Sequence, residues 1–179
     1  SLAGDDAKVP VVGMYDPMIK VNIKAYEGSN DIILIDTAGI IVDMDDEEDG
    51  KASKINSAVM AMADYVIVPL QPAPADFRAT EVCVESLSKI QGFRDGAPFF
   101  RVLLTSTRAN EDLTRMALEL FGEDYPYPVF KTTIRRSEEF KKAHAYGQGI
   151  VDYAKRSESA NDIRDLADEV LRDLDEGRA

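Results

Sequence analysis

Short aliphatic runs alternate along this chain with segments whose apolar residues recur every three or four positions. The runs predict β-strands, and the three-to-four spacing predicts helices. The predicted strands are 9–12, 32–36, 65–70, 99–105 and 128–133. The predicted helices are 17–27, 53–63, 76–90, 110–121, 137–146 and 159–174.

Strands that are aliphatic throughout are buried on both faces, and their alternation with helices indicates a parallel sheet. Right-handed crossovers then give a doubly wound α/β fold, with a mostly parallel sheet and helices on both faces. We expect a single domain over residues 1–179. Ligands of such sheets bind beyond the carboxyl ends of the strands, so Asp36, Gln71 and Thr105 should gather along one edge.

Several helix ends carry signals of their own. Pro17 suits a first turn, Ser53 is a candidate N-cap, and Gly122 is a candidate stop. The last predicted helix is amphipathic, with acidic residues outside its apolar face. That apolar face consists of Ile163, Leu166, Val170 and Leu174.

The amino-acid composition is that of an ordinary globular protein. The chain has 179 residues, 45% hydrophobic and 30% charged, which suits one domain with a sizeable core. No apolar run approaches the roughly 18–20 residues that span a membrane, and a cytoplasmic setting is the default. Cys83 has no basic partner in its segment and is predicted to be an inert core residue. His144 is predicted to be a surface or helix residue.

The net charge of −12 and a pI of about 4.5 predict repulsion from nucleic acid and anionic lipid. One basic cluster departs from this balance, opposed locally by Glu138 and Glu139. It consists of Lys131, Arg135, Arg136, Lys141 and Lys142. The cluster fits either a phosphate-contacting surface or an ordinary salt-bridged helix face, and the sequence leaves both open.

The stretch DIILIDTAGI, residues 31–40, carries the first candidate chemistry. Asp36 follows a predicted strand and precedes Thr37 and Gly39. A carboxylate in this position can hold Mg²⁺ beside phosphates, and a glycine lets the backbone approach a phosphate. The alternative is an aspartate that caps the next element.

The segment DEEDGKAS, residues 46–53, superficially resembles the end of a phosphate-binding loop. Such a loop requires a glycine five positions before Gly50, where this chain has Asp45. The neighbouring carboxylates would repel phosphate, so a solvated acidic loop is the better interpretation. No other glycine-rich stretch is followed by Lys and a hydroxyl residue.

The ordered motifs resemble those of the ParA/MinD-type, deviant Walker A P-loop ATPases, and of the ParA partition subfamily in particular. After DIILIDTAGI come MADYVIVPLQPAPADFRATEVCVESL (62–87), RVLLTSTR (101–108) and TTIRRSEEFKKAHAYGQGIVDY (132–153). The resemblance covers residues 9–174. Its specificity comes from the order and spacing of the motifs rather than from any one of them.

The resemblance implies Mg²⁺-dependent ATP hydrolysis by an ATP-dependent homodimer. It also implies non-specific DNA binding, a ParB-like or other activating partner protein, and a nucleoid-associated location in the cytoplasm. The implied role is plasmid or chromosome partitioning, with no membrane partner.

The family's functional residues carry over as follows. Asp36 matches the catalytic and metal-binding acidic position, and Thr37 and Gly39 match the start of the switch that senses the terminal phosphate. Residues near the base or in the loop that closes over adenine would be Thr105, Arg108, Gly149 and Ile150. The candidate DNA-binding residues come instead from the basic cluster, and they are Arg135, Arg136, Lys141 and Lys142.

The family's opening strand and lysine-bearing phosphate loop have no counterpart in this sequence. We therefore expect these residues to be the C-terminal portion of a longer domain, inactive when alone. Two alternatives remain: a MinD-like membrane-associated positioning ATPase, and a nucleotide-free adaptor of the same fold. The acidic terminal segment DLADEVLRDLDEGRA argues against lipid binding.

Overall fold

The structure, a computed structural model, describes residues 10–16, 18–39, 50–108, 111–120 and 126–177. The described strands are β1 (Tyr65–Leu70) and β2 (Phe99–Leu104). The described helices are α1 (Ile19–Glu27), α2 (Lys51–Met62), α3 (Pro74–Phe93), α4 (Asp112–Leu120), α5 (Glu138–Ala145), α6 (Ile150–Tyr153) and α7 (Glu158–Asp175). The predicted α/β class is confirmed.

Strands β1 and β2 pair in parallel. The Phe99 amide donates to the Asp64 carbonyl at 3.0 Å, and the Thr105 amide donates to the Leu70 carbonyl at 2.8 Å. Residues advance together along both strands, which is the parallel register. Helix α3 makes the crossover between them. Both strands were predicted to within one residue because their aliphatic runs are short and clearly bounded.

The segment 128–136 runs parallel to β2, through bridges between Val102 and Val129 and between Thr107 and Arg135. Along β2 the hydrogen bonding advances from Val102 to Leu104, while the partner segment advances from Phe130 to Ile134. Two extra residues therefore bulge from the partner segment. The predicted strand 128–133 lies beside β2 as isolated bridges rather than as a regular strand.

The predicted strand 32–36 is not a strand, and residues 10–12 of the predicted strand 9–12 are not one either. Ile33 and Ile35 pack against α1 and α2, whereas Ile32 and Leu34 are 56% and 89% exposed. The segment is thus buried on one face only. A strand also needs a hydrogen-bonded neighbour, and within the described residues this segment pairs with none.

The six predicted helices are confirmed, with shifted ends, and α6 is an addition. Helix α2 begins at Lys51 with Gly50 as its N-cap, so the prediction of Ser53 as the cap was wrong, and Ser53 is buried inside the helix. Pro17 and Gly122 lie outside the described residues. Ser137 and Ser157 cap α5 and α7 through their side chains.

The chain divides into two compact units. The α2 unit comprises described residues within 13–66 and 78–100, and Ile19, Ile23 and Val59 form a core cluster in it. The α7 unit comprises described residues within 10–12, 67–77 and 101–177, with a cluster of Ala143, Ile150 and Ala160. The single-domain organisation stays a prediction.

Among the described residues, no helix combines the length and the apolar character that crossing a membrane would require.

Candidate functional site

In the α2 unit, α2 holds the backbone that follows Asp36. The side-chain amide of Asn56, a buried α2 residue, donates to the Ala38 carbonyl at 2.8 Å. Asp36, Thr37 and Gly39 are all exposed, and among the described residues beyond its chain neighbours no atom lies within 4 Å of where a Cβ on Gly39 would stand. The segment therefore presents its carboxylate and its glycine backbone to solvent.

These residues fit part of a Mg-ATP site. The exposed Asp36 carboxylate is the hard oxygen ligand that Mg²⁺ prefers. In the described part of the chain, however, no group of three or more His, Cys, Asp or Glu residues is placed to hold a metal ion. The sequence also offers no glycine-rich loop ending in Lys and a hydroxyl residue. The residues in hand thus fit a single metal contact and do not form a complete nucleotide site.

In the α7 unit, Thr105 lies at the carboxyl end of β2, beside the end of β1. Its amide and its hydroxyl both donate to the Leu70 carbonyl, at 2.8 and 3.3 Å. The structure thus brings Thr105 next to the Leu70–Gln71 turn, as the parallel pairing predicts. The next residue, Ser106, has a φ of 55°, in the left-handed region that is uncommon for residues other than glycine. Such backbone strain clusters at functional sites.

The other residues predicted to contact the base differ from one another in exposure and in contacts. Arg108 is exposed, and its amide donates to the Thr114 hydroxyl at 3.2 Å. Gly149 is the N-cap of α6, and its carbonyl accepts hydrogen bonds from that helix. Ile150 is 7% exposed within the Ala143 cluster, so its side chain belongs to the core. The nucleotide-contact roles of these residues stay predictions.

An open cavity of about 600 Å³ lies beyond the carboxyl end of β2. Apart from Leu118, its described lining residues are of polar or charged types, and they include Thr107, Thr114, Thr133, Arg135 and Asp162. None of the predicted nucleotide-contact residues is among the lining residues. Its one arginine from the basic cluster is already paired with a carboxylate.

Arg135 is held by two carboxylates of α7. Its Nε donates to Asp162 Oδ2 at 2.8 Å, and its guanidinium also pairs with Glu158. The hydrogen bond to Asp162 is the main reason that the pKa of Arg135 is raised. Lys141 likewise pairs with Glu138, at 2.8 Å. For these two residues, the salt-bridged alternative describes the observed contacts.

Arg136 and Lys142 differ from Arg135 and Lys141. Both side chains are exposed, and neither forms an ion pair with any residue the structure describes. They act on Glu138 at longer range, adding to the Lys141 hydrogen bond that lowers the pKa of that carboxyl. Among Arg135, Arg136, Lys141 and Lys142, the charge that remains available to an outside phosphate is therefore concentrated on Arg136 and Lys142.

The sequence prediction missed a buried ion pair network centred on Arg101 in β2. Its guanidinium donates to Glu169 at 2.7 Å and to Asp173 at 2.8 Å, both from α7, and lies 5.5 Å from the centre of the Phe130 ring. An arginine inside the aliphatic strand FFRVLL was the available signal. Its buried charge required opposite charges that local pattern does not locate.

The same helix closes the edge of the bulged segment. Glu169 accepts hydrogen bonds from the Lys131 and Thr132 amides, at 3.0 and 3.1 Å. Asp162 accepts one from the Arg135 amide at 3.0 Å. Three buried acidic residues of α7 thus satisfy edge amides and arginines; we call Asp162, Glu169 and Asp173 the α7 carboxylates.

Both edge-capping carboxyls are shifted towards the ionised form. Burial alone would raise the pKa of Glu169, but the amides of Lys131 and Thr132 and the charge of Arg101 outweigh it and lower that pKa. Burial alone would likewise raise the pKa of Asp162. The side-chain and backbone hydrogen bonds from Arg135 outweigh burial and lower that pKa.

Comparison with known proteins gives an informative similarity. No family model matches the chain. The chain is 26% identical over 171 residues to the "Maintenance of carboxysome distribution protein A" of Halothiobacillus neapolitanus. The match covers 93% of this chain and 72% of that protein. The similarity agrees, in its general form, with the ParA/MinD-type resemblance of the motifs.

Proposed function

We propose that this protein acts as a ParA-like ATPase that positions a cargo in the cell. The observation that carries the proposal is the order of motifs from DIILIDTAGI to the segment ending at Tyr153, on an α/β scaffold with parallel strands. The distant relative supports it, because its name describes maintaining the distribution of a cellular body.

In this proposal the protein works as an ATP-bound homodimer on non-specific DNA. ATP hydrolysis takes the protein out of its ATP-bound state, and an activating partner protein of the ParB type sets the rate of hydrolysis. Asp36 holds Mg²⁺, and Thr37 and Gly39 respond to the terminal phosphate. Thr105, Arg108, Gly149 and Ile150 lie around the base, with Ile150 supporting the loop from the core.

The cargo is a plasmid or a chromosome in the partitioning form of the proposal. The relative's name mentions the distribution of a carboxysome, which makes a cellular body of that kind a second candidate cargo. The DNA-contacting residues are Arg136 and Lys142. Their neighbours Arg135 and Lys141 are already paired with carboxylates and would have to leave those partners to contact DNA. A nucleoid-associated location in the cytoplasm follows from DNA binding by the dimer.

A membrane-associated, MinD-like role is less favoured. The exposed positions of α7 include Asp165, Asp168 and Asp175, and carboxylates are repelled by anionic lipid. A nucleotide-free adaptor remains the second candidate for this chain alone.

Nucleotide titration and steady-state turnover on the complete gene product test the proposal. Asp36→Ala should lower Mg-ATP turnover by about 100-fold, because a metal contact contributes several kcal/mol to transition-state stabilisation. Nucleotide affinity should change much less. Asp31→Ala, which changes an exposed carboxylate at the start of the same stretch, is the matched control.

Unchanged turnover of the Asp36→Ala protein would refute the role given to Asp36. If the unsubstituted gene product binds no Mg-ATP, the adaptor function replaces the ATPase. In either case DNA retention can be measured separately, since its proposed contacts lie on other residues.

A further inference from the structure

Two tyrosines of the α7 unit form a stacked pair at the surface. The ring centroids of Tyr146 and Tyr153 are 5.5 Å apart, and the ring planes differ by 19°. Tyr146 is 70% exposed, whereas Tyr153 is half-buried and packs on the Ala143 cluster. Tyr153 therefore covers part of one face of the Tyr146 ring, and much of that ring is open to solvent.

The backbone around Tyr146 is fixed by the end of α5. Its amide donates to the carbonyls of Lys142 and Ala143, each at 3.1 Å, and the Gln148 amide donates to Ala143 at 3.0 Å. Gly147 has a φ of 63°, a conformation that glycine adopts without strain. The backbone that carries the ring is thus ordered before any ligand arrives, which reduces the conformational entropy lost on binding.

The stacked pair lies within the most basic part of an acidic molecule. Residues 131–156 contain seven Lys and Arg against three Asp and Glu, although the whole chain has a net charge of −12. Lys142 is one helical turn before Tyr146, and Lys155 and Arg156 follow Tyr153 closely; all three are exposed. One exposed aromatic ring, that of Tyr146, therefore lies between exposed cations in the sequence.

We propose that Tyr146, supported by Tyr153, stacks on an unpaired base of single-stranded DNA while Lys142 and Arg156 contact its phosphates. Aromatic rings beside cations are the usual chemistry of single-strand binding, because every base has a face that can stack. Bases inside a duplex are already stacked and cannot present that face. The inference rests on the proposed DNA-binding function and adds a preference for unpaired strands.

The expected effects separate stacking from charge. Tyr146→Ala should weaken binding of oligo-dT roughly tenfold, because one base–aromatic stack is lost, while Tyr146→Phe should retain it. The salt dependence should stay unchanged in Tyr146→Ala. Lys142→Gln should instead reduce the salt slope by about 0.7, the value expected for one single-strand phosphate contact.

A tryptophan at position 146 gives a direct readout, since the chain contains no Trp. In the complete gene product with Mg-ATP present, the fluorescence of Tyr146→Trp should be quenched by oligo-dT and much less by duplex DNA of equal length. Tyr15→Ala changes a tyrosine that is 80% exposed outside this segment, and should bind oligo-dT like the unsubstituted protein.

Three results would overturn the inference. Equal oligo-dT affinity of Tyr146→Ala and unsubstituted protein would overturn it while leaving duplex binding, and so the proposed function, intact. Quenching by AMP alone, with none by oligo-dT, would place a nucleotide rather than DNA on the ring. Absence of any DNA binding would overturn the inference and the DNA-binding part of the proposed function together.

Discussion

At the scale of single residues, Arg101 shows how one charge organises its surroundings. Its side chain is 12% exposed, and those of its partners Glu169 and Asp173 are 8% and 4% exposed. Removing charges from water is unfavourable, so a buried guanidinium requires nearby carboxylates to offset its desolvation. The position of Arg101 in β2 therefore fixes where two α7 carboxylates must lie.

Replacing Arg101 should be much more destabilising than replacing an exposed arginine. Arg101→Met leaves Glu169 and Asp173 without their shared cation, and the free energy of unfolding should fall by about 3–5 kcal/mol. Urea denaturation followed by circular dichroism measures it.

Arg115→Met is the matched control for that measurement. Arg115 pairs with Asp112 on the surface of α4, where the two side chains are 68% and 81% exposed. This change should alter the free energy of unfolding by about 1 kcal/mol or less. Equal losses in the two variants would contradict the assignment of Arg101 as a buried structural charge.

At the scale of elements, α7 docks partly through acidic residues rather than only through apolar ones. The predicted apolar residues Ile163, Leu166, Val170 and Leu174 are half-buried, while the α7 carboxylates beside them are buried. The helix thus combines an apolar stripe with hydrogen bonds to the amides of the bulged segment 131–135. Its attachment should consequently depend on pH.

Acidification should loosen α7. The folded state lowers the pKa of Asp162 and Glu169, so their stabilisation is complete above the unfolded-state pKa of about 4 and is lost as the pH falls below it. Urea midpoints measured from neutral pH down to about pH 3 should therefore decrease.

Substituting the carboxyls tests the origin of that decrease. Asp162→Asn and Glu169→Gln should each lower stability at neutral pH and make the decrease on acidification shallower. Asn161→Ala changes an exposed neutral side chain on the same helix and should preserve the slope. An unaltered slope in both carboxyl variants would show that other groups produce it.

The elements also show what local pattern can and cannot predict. The strands at 65–70 and 99–104 were predictable because their aliphatic runs coincide with hydrogen-bonded neighbours. Residues 32–36 have an equally aliphatic pattern but no described neighbour, because pairing depends on distant parts of a chain. The acidic docking of α7 was hidden for the same reason, since it depends on Arg101 and Arg135.

The sequence indicated residues of the candidate site, but it did not indicate most of their side-chain partners. The sequence located Thr105 at a strand end, and the parallel register puts it beside Leu70. It did not indicate that Asn56 holds the Ala38 carbonyl, or that Arg135 is occupied by α7. Side-chain partners 18 or more positions apart follow from packing, which periodicity does not encode.

At the scale of the whole molecule, charge is unevenly distributed. Most of the chain is acidic and should be repelled by DNA, so any binding depends on the basic part of the α7 unit. Within that part, paired and unpaired cations should behave differently.

Salt dependence of duplex binding distinguishes the two kinds of cation. The double variant Arg136→Gln/Lys142→Gln should reduce the slope of log affinity against log salt by about 2, since two phosphate contacts are lost. Arg135→Gln/Lys141→Gln removes cations already paired with carboxylates and should change the slope less. Equal changes, measured by fluorescence anisotropy, would contradict the distinction.

The carboxylates that cap the bulged segment are synthesised after the amides that donate to them. Glu169 lies 38 residues after Lys131, whose amide it satisfies. At about 5–20 residues per second on the ribosome, the amides of that segment wait about 2–8 s for their acceptor. The newborn chain therefore exposes the backbone amides of this edge until α7 has been synthesised and packs against them.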